Sequence, residues 1–328
     1  MTALYVTSLT EGAGKTTICA GLAKQLLSNG KKVGFLKPTI AKEVEGGDSD
    51  ALFMRQVLGL DEPVDNICPV ISGQGNVASM VKEAYDRVSS GKDVVIVEGV
   101  CERGIIESLG AKVIIVRDYS KEPEAKFDNA YKDLEKYLLG AVLNKVPLGR
   151  LEKGYDEFSS QFSEAGVTML GALPEDRILF TLSVGELSEH LQGEILNSVE
   201  KSQELVENFM LGAMTVDPGS EYFSRKANKA VVVKGERADM QMAALETAVR
   251  CLILSGNIAP IPAVRYRAKD KDIPIIVAKS DTTTTVMAIE EALDRAKLNQ
   301  VKKLPRLTEI MEKRLNVQNL YQELGLAS

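Results

Sequence analysis

Histidine is almost missing from this chain of 328 residues: the one example is His190, in GELSEHLQG. That scarcity excludes a His-rich metal site and leaves a Cys–His hydrolytic or glutaminase centre a single possible base. Its polar, amphipathic surroundings read as a helix surface. Cysteine is sparse too, and Cys19, Cys68, Cys101 and Cys251 are scattered too widely for a metal knuckle or a compact disulfide framework. They read as buried small hydrophobes. No apolar run is long enough to cross a bilayer, and the first residues, MTALYVTS, lack the basic start and apolar stretch of an export signal. The expectation is a cytosolic chain with no membrane partner. A basic excess is also lacking: the net charge is −6 and the pI about 5.2, which gives no electrostatic footprint for nucleic acid. Small molecules or proteins are the expected partners. Internal repeats and low-complexity tracts are absent.

What is there suits a folded protein, with 45% hydrophobic and 26% charged residues and enough length for two domains. The first part alternates strand and helix signals. Ala3–Val6 is a short apolar strand, followed by a loop and by a helix from Thr16 to about Asn29, with Ile18, Leu22 and Leu26 on one face and Gly30 closing it. Further strands are expected at Lys32–Leu36, Val94–Val97, Val113–Val116, Ala141–Leu143 and Val167–Leu170, with helices at Glu122–Tyr137 and Leu151–Glu164. Near-continuous apolar runs mean strands covered on both faces. The spacing therefore predicts an α/β fold, a doubly wound and mostly parallel sheet.

The pattern changes near residue 190. A polar stretch of helical character, 193–219, precedes a second, smaller α/β unit with strands at Ala230–Val233, LILS and Ile273–Ala278. Its helices are expected from about Arg237 to Cys251, with Met240, Ala244, Ala248 and Cys251 on one face, and over Thr284–Lys297, before a last helix at Leu307–Leu324.

The stretch TSLTEGAGKTT, Thr7–Thr17, lies between the first strand and the first helix, where a phosphate-binding loop belongs. The pattern G-x-x-x-x-G-K-[ST] is met at Gly14, Lys15 and Thr16, while Leu9 stands in place of the first glycine. Glu11, Gly12, Ala13, Gly14 and Thr17 complete a loop whose backbone N–H groups and helix end suit phosphate oxygens. Lys15 adds a charge toward the β and γ phosphates, and Thr16 offers its hydroxyl to Mg²⁺. Glu98, after the strand VVIV, is either a Mg²⁺ carboxylate or a solvated loop acid. Asp48 and Asp50, in EGGDSDALF, follow the second strand and precede a helix, so each could instead be an N-cap. Lys37, in FLKPT, would face an anionic substrate or a phosphoryl group, or be an ordinary surface lysine.

Taken in order, TEGAGKTT, FLKPT, GGDSDALF, VVIVEGV, LNKVP and GALPEDRIL resemble the dethiobiotin-synthetase-like ATP-binding region at the N-terminus of many phosphate acetyltransferases. KGERADMQMAAL, LSGNIAP and SDTTTTV resemble the DRTGG domain that follows it there. The resemblance implies ATP and Mg²⁺ as ligands, Lys15 and Thr16 on them, Asp50 and Glu98 as Mg²⁺ carboxylates, Lys37 near the γ-phosphate or substrate, and Asn144 near the adenine. In dethiobiotin synthetase this layout activates a carbamate, and in amidoligase relatives a carboxylate. The 328 residues carry no resemblance to the acetyltransferase catalytic domain, so acetyl transfer is not expected. The acid loop reads EGVCERG rather than a glycine-rich EGAGG, and the DRTGG motif appears as GERAD.

The organisation expected is an ATP-binding domain at 1–192, a helical linker at 193–219, and a DRTGG-like domain with a C-terminal helix at 220–328. Three functions follow: a Mg·ATP-binding protein, slow as an ATPase, whose nucleotide state the second domain or a partner reads; a ligase acting on a small anionic metabolite; and a non-catalytic scaffold. The intact Lys15–Thr16 pair and both acids disfavour the last. In the second domain Glu236, Arg237 and Asp239 fall at one strand-to-helix turn and Asp281 at another, where it serves as an N-cap or lines a ligand or interaction surface. A homodimer through 220–328 is expected, with Leu307, Ile310 and Met311 either in that contact or packed on their own chain.

Overall fold

The computed structural model describes residues 2–39, 48–71, 76–119, 132–213 and 219–326. Along the chain the first elements are β1 (Thr2–Thr7), α1 (Lys15–Ser28), β2 (Val33–Leu36), α2 (Ser49–Leu58), α3 (Val64–Ile67), α4 (Val77–Ser89), β3 (Val94–Glu98), α5 (Arg103–Leu109), β4 (Lys112–Asp118), β5 (Leu138–Val146), α6 (Leu151–Glu164) and β6 (Met169–Pro174). The six strands form one parallel sheet in the order β2-β3-β1-β4-β5-β6. Residues alternate between its faces. Ala3, Tyr5, Val95, Val97, Val113 and Ile115 point toward α4, α5 and α6. Ile114, Val142 and Leu170, one position out of phase, meet Ile18 and Leu22 of α1. Burial on both faces is why these strands read as continuous apolar runs. The doubly wound architecture is as the sequence predicts. Most of the helix expected over Glu122–Tyr137 lies outside the described residues, which show only a 3-10 turn at Lys132–Tyr137.

The chain divides into two compact units, and their boundaries are not those read from the sequence. Unit 1 comprises residues 1–176 together with 298–328, and unit 2 comprises 177–297. Unit 2 holds β7 (Leu182–Ser183), α7 (Val184–His190), β8 (Glu194–Ile195), β9 (Leu205–Val206), β10 (Asn208–Leu211), α8 (Gly219–Ser224), β11 (Lys229–Lys234), α9 (Ala238–Leu245), β12 (Val249–Ser255), α10 (Pro262–Asp270), β13 (Ile275–Val277) and α11 (Thr282–Asp294). Its sheet runs β10-β11-β12-β13-β8, parallel except for β8. Phe223, Met240, Ala244, Val264 and Ala268 pack α8, α9 and α10 on one face. Leu187 of α7 and Ile289 and Ala292 of α11 cover the other.

The supposed helical linker at 193–219 is therefore mostly strand and turn: β8, β9 and β10 lie in it, while 214–218 fall outside the described residues. These strands span only two to four residues, too short for alternation to show, and Val206 and Met210 anchor them in the core. The helix expected to reach Cys251 stops at Leu245, and Cys251 sits in β12, whose core residues 251–255 are all buried. His190 is exposed in the last turn of α7, as expected. Cys19 and Cys251 are buried, whereas Cys68 and Cys101 are half-buried; all four are free thiols.

The chain returns to unit 1 through α12 (Leu304–Arg314) and α13 (Val317–Glu323). The single helix expected at Leu307–Leu324 is broken at Leu315 and Asn316, where the backbone pairs with β6: Asn316 N–H donates to Leu170 O at 3.0 Å and Leu315 bridges Gly171. Leu307, Ile310 and Met311 are buried within their own unit, so they are not a free dimer contact. Arg306 donates to the nearly buried Asp176 carboxylate at 2.6 and 2.8 Å, joining the residue before unit 2 to one after it.

Candidate nucleotide site

The carboxyl ends of parallel strands gather the groups that the sequence singled out, as expected for an open α/β sheet. The loop after β1 turns at Gly12 (φ 72°) and Gly14 (φ 91°), left-handed conformations that glycine adopts without strain. Leu9 is not among the positive-φ residues and is exposed, so the missing first glycine removes no conformation that the loop uses. At Gly14 a side chain would also overlap the amide of Asn144. Gly14 is the N-cap of α1, which has no side-chain cap and no acid in its first turn. Its orphan N–H groups and the positive end of a helix of 14 residues thus remain available to an anion. Lys15 Nζ donates to Ser8 Oγ at 3.2 Å, and Ser8 Oγ donates to Thr10 O at 2.8 Å, so Lys15 folds back over the loop.

Behind the loop, Thr16 Oγ1 donates to Glu98 Oε1 at 2.9 Å. Glu98 Oε2 is buried with no partner among the described residues. Burial pushes the Glu98 carboxyl up to about 7; Lys37 opposes this, Asp50 adds to it, and Thr16 and Lys15 pull it down. Lys37 Nζ lies 2.9 Å from Asp48 and 2.6 Å from Asp50. Burial works against its charge, but Glu98 and the two aspartates outweigh that and raise it above the ordinary lysine value. Asp48 is the N-cap of α2, accepting from the N–H groups of Asp50 and Ala51. Burial resists its ionisation, yet Lys37 and those N–H groups hold it below its ordinary carboxylate value.

The structure thus brings together Lys15, Thr16, Glu98, Lys37 and Asp50, and it gives Asp48 the capping role. Among the described residues no three His, Cys, Asp or Glu side chains are placed to hold a metal by themselves. A Thr hydroxyl with one or two carboxylates, completed by phosphate and water, is the donor set that Mg²⁺ prefers. An orphaned carboxylate oxygen beside that hydroxyl fits such an ion. Asn144 does not stand free: its Nδ2 donates to Ala13 O at 2.9 Å.

A family model described as an AAA domain matches residues 2–180, more than half of the chain. The chain belongs to this AAA domain family. A second model, the DRTGG domain, matches residues 186–292 of the AAA-domain chain, in unit 2. A phosphate acetyltransferase from Pseudomonas aeruginosa is 23% identical over 361 residues, covering 96% of this chain and 51% of that protein. An ATP-dependent dethiobiotin synthetase from Methanocaldococcus jannaschii is 28% identical over 113 residues, covering 29% of this chain and 51% of its own length. The chain spans about half the length of the curated relatives it matches. Among solved structures, a nucleotide-binding protein in complex with ADP from Archaeoglobus fulgidus matches 53% of this chain and 82% of its own, at 21% identity and a TM-score of 0.39.

Sequence reasoning missed several residues of this AAA-domain site. Ser8 receives Lys15. Lys145 Nζ bonds to Gly12 O at 2.7 Å and to Asp118 Oδ2 at 2.9 Å. Tyr5 donates its hydroxyl to Val100 O at 2.9 Å, fixing the loop beyond Glu98, and burial raises its phenol well above the ordinary value. Lys145 was in view, inside LNKVP, but nothing in the spacing says that its side chain reaches the loop.

Proposed function

We propose that unit 1 binds Mg·ATP and that the chain is a nucleotide-responsive protein, at most a slow ATPase, whose nucleotide state is read by the DRTGG-like unit or by a partner. The observation that carries this reading is the uncapped N-terminus of α1, flanked by Lys15 and backed by the unpartnered Oε2 of Glu98. In this reading Glu11–Thr17 cradle the phosphates, Lys15 neutralises them, and Thr16, Glu98 and Asp50 hold the ion directly or through water. Bound there, Mg²⁺ would screen the phosphate charges and polarise a phosphoryl oxygen. Burial disfavours the charged Glu98 carboxylate, and a cation bound beside it would favour ionisation.

Adenine is favoured over guanine because Pro147 stands in LNKVP where an N-K-x-D motif would place the guanine-reading aspartate. Competition titration of ATP against GTP, with and without Mg²⁺, tests this, and a GTP preference rejects the adenine assignment. Lys15→Ala should remove a charge-assisted contact of about 1.5–3 kcal/mol, a loss of roughly one to two decades in affinity. Unchanged affinity would rule out a phosphate site.

The ligase reading draws on the dethiobiotin synthetase similarity. Against it, Lys37 is engaged by two carboxylates rather than open to an acceptor anion. Phosphate release that rises with an added small carboxylate would favour the ligase. The homodimer expected through 220–328 belongs to the same proposal, narrowed to 220–297 because Leu307, Ile310 and Met311 are buried in unit 1, and a monomer in light scattering would reject it.

A further inference from the structure

The backbone of the phosphate loop is not held by the loop alone. Two successive carbonyls are taken by side chains of β5: Gly12 O by Lys145 Nζ at 2.7 Å, and Ala13 O by Asn144 Nδ2 at 2.9 Å. The C=O of one residue and the N–H of the next lie in one trans peptide plane and point in opposite directions within it. Fixing the Gly12 carbonyl toward β5 therefore turns the Ala13 N–H away from it, and fixing the Ala13 carbonyl does the same for the Gly14 N–H. Among the described residues neither N–H has an acceptor, although Ala13 is fully buried. A buried N–H without a partner is costly and is kept where a ligand completes it.

Lys145 is itself fixed. Its ammonium is shared with Asp118 at 2.9 Å, at the buried end of β4. Its backbone takes φ 58°, a left-handed conformation that a lysine adopts only at a cost. The irregularity falls where the register of β5 against β6 shifts between Leu143 and Val146, so the strand breaks its own pairing at the point where Lys145 turns toward the loop.

We infer that Asn144 and Lys145, with Asp118 behind Lys145, are positioning residues that aim the Ala13 and Gly14 N–H groups at the ligand's phosphate oxygens. This rests on the nucleotide reading above. The ligand class is set by the two aimed donors: a polyphosphate chain, whatever nucleoside it carries. Donors already held in this direction leave less of the loop to reorganise on binding.

The test uses the full chain, with ATP and inorganic triphosphate as probes. Lys145→Gly removes the ammonium while glycine takes the left-handed backbone freely, which offsets part of the cost of leaving the buried Asp118 carboxylate without that cation, so the ligand-free melting temperature should fall by only a few degrees. Both probes should bind about tenfold more weakly to this variant, the loss expected when a charge-assisted hydrogen bond that positions the loop is removed. Lys145→Arg, which keeps a donor, should restore binding of both. Unchanged affinities in Lys145→Gly overturn the inference. So does weakened ATP with unchanged triphosphate, since Lys145 would then act on the nucleoside. An affinity loss that Lys145→Arg fails to reverse also overturns it, as a structural effect of the substitution. If the unsubstituted chain binds neither probe, the nucleotide reading falls and takes this inference with it; if it binds both and Lys145→Gly binds them equally well, only this inference falls.

Discussion

Glu98 carries the sharpest single-residue consequence. Its carboxyl is moved from an ordinary value of 4.5 to about 7, first by burial and then by Asp50 against the pull of Lys37. Between those two values the folded chain keeps a proton that the unfolded chain has released. The associated stability is complete below about 4.5, declines as pH rises, and is gone above about 7. On the order of 3 kcal/mol is at stake for a shift of this size. The metal-free protein should therefore have a lower urea midpoint at pH 8 than at pH 5, and Glu98→Gln, uncharged throughout, should flatten that difference. Equal slopes in the two proteins would show that the carboxyl titrates normally. Lys15, Thr16 and Glu98 could be read from sequence because each sits at a fixed offset from a strand end. Ser8, Lys145 and Asp118 could not, since their partners are loop carbonyls, hydroxyls and one another, set by how β1, β4 and β5 are juxtaposed.

At the scale of elements, the seam between α1 and α12 is built on a glycine. A Cβ on Gly21 would overlap the sulfur of Met311. In an exposed helix Gly→Ala gains roughly 1 kcal/mol. Here the gain should be reversed, because overfilling a packed contact costs about 1–3 kcal/mol. Gly21→Ala should lower the denaturation midpoint, and its effect should shrink in a Met311→Ala background, where the sulfur is gone. Additive effects in that cycle would mean that the helices do not meet as closely as described. The elements easiest to read were those with long runs, such as α1 and the central strands of unit 1. Elements of two to four residues, β8, β9 and β10, left no periodic trace. The break at Leu315 was hidden for another reason: residues 307–324 keep a helical pattern of apolar positions, and only pairing with Leu170 and Gly171 interrupts it.

For the whole molecule, the apolar stripe of residues 298–328 belongs to unit 1. Leu307 and Met311 are fully buried there, and Ile310, Leu320 and Leu324 nearly so. Deleting 298–328 should open unit 1 and leave unit 2 intact. Hydrogen exchange would report faster exchange in β1, β4 and β5 with continued protection of β11 and β12; undiminished protection in unit 1 would refute the assignment.

The two-part composition of unit 1 also fixes a timetable. Unit 2 is one continuous stretch and can finish as soon as its own residues have been made. Unit 1 begins first yet waits for α12 and α13, and Thr2 Oγ1 reaches its partner, the carbonyl of Leu324, only after that residue has been made. At bacterial or eukaryotic synthesis rates of about 5–20 residues per second, the interval between β6 and α13 lasts roughly 7–30 s. For that time Ile18 and Leu22 of α1 lie on their face of the sheet, but the place of Met311 against Gly21 stays empty, and unit 1 of the newborn chain presents an apolar patch there after unit 2 has assembled.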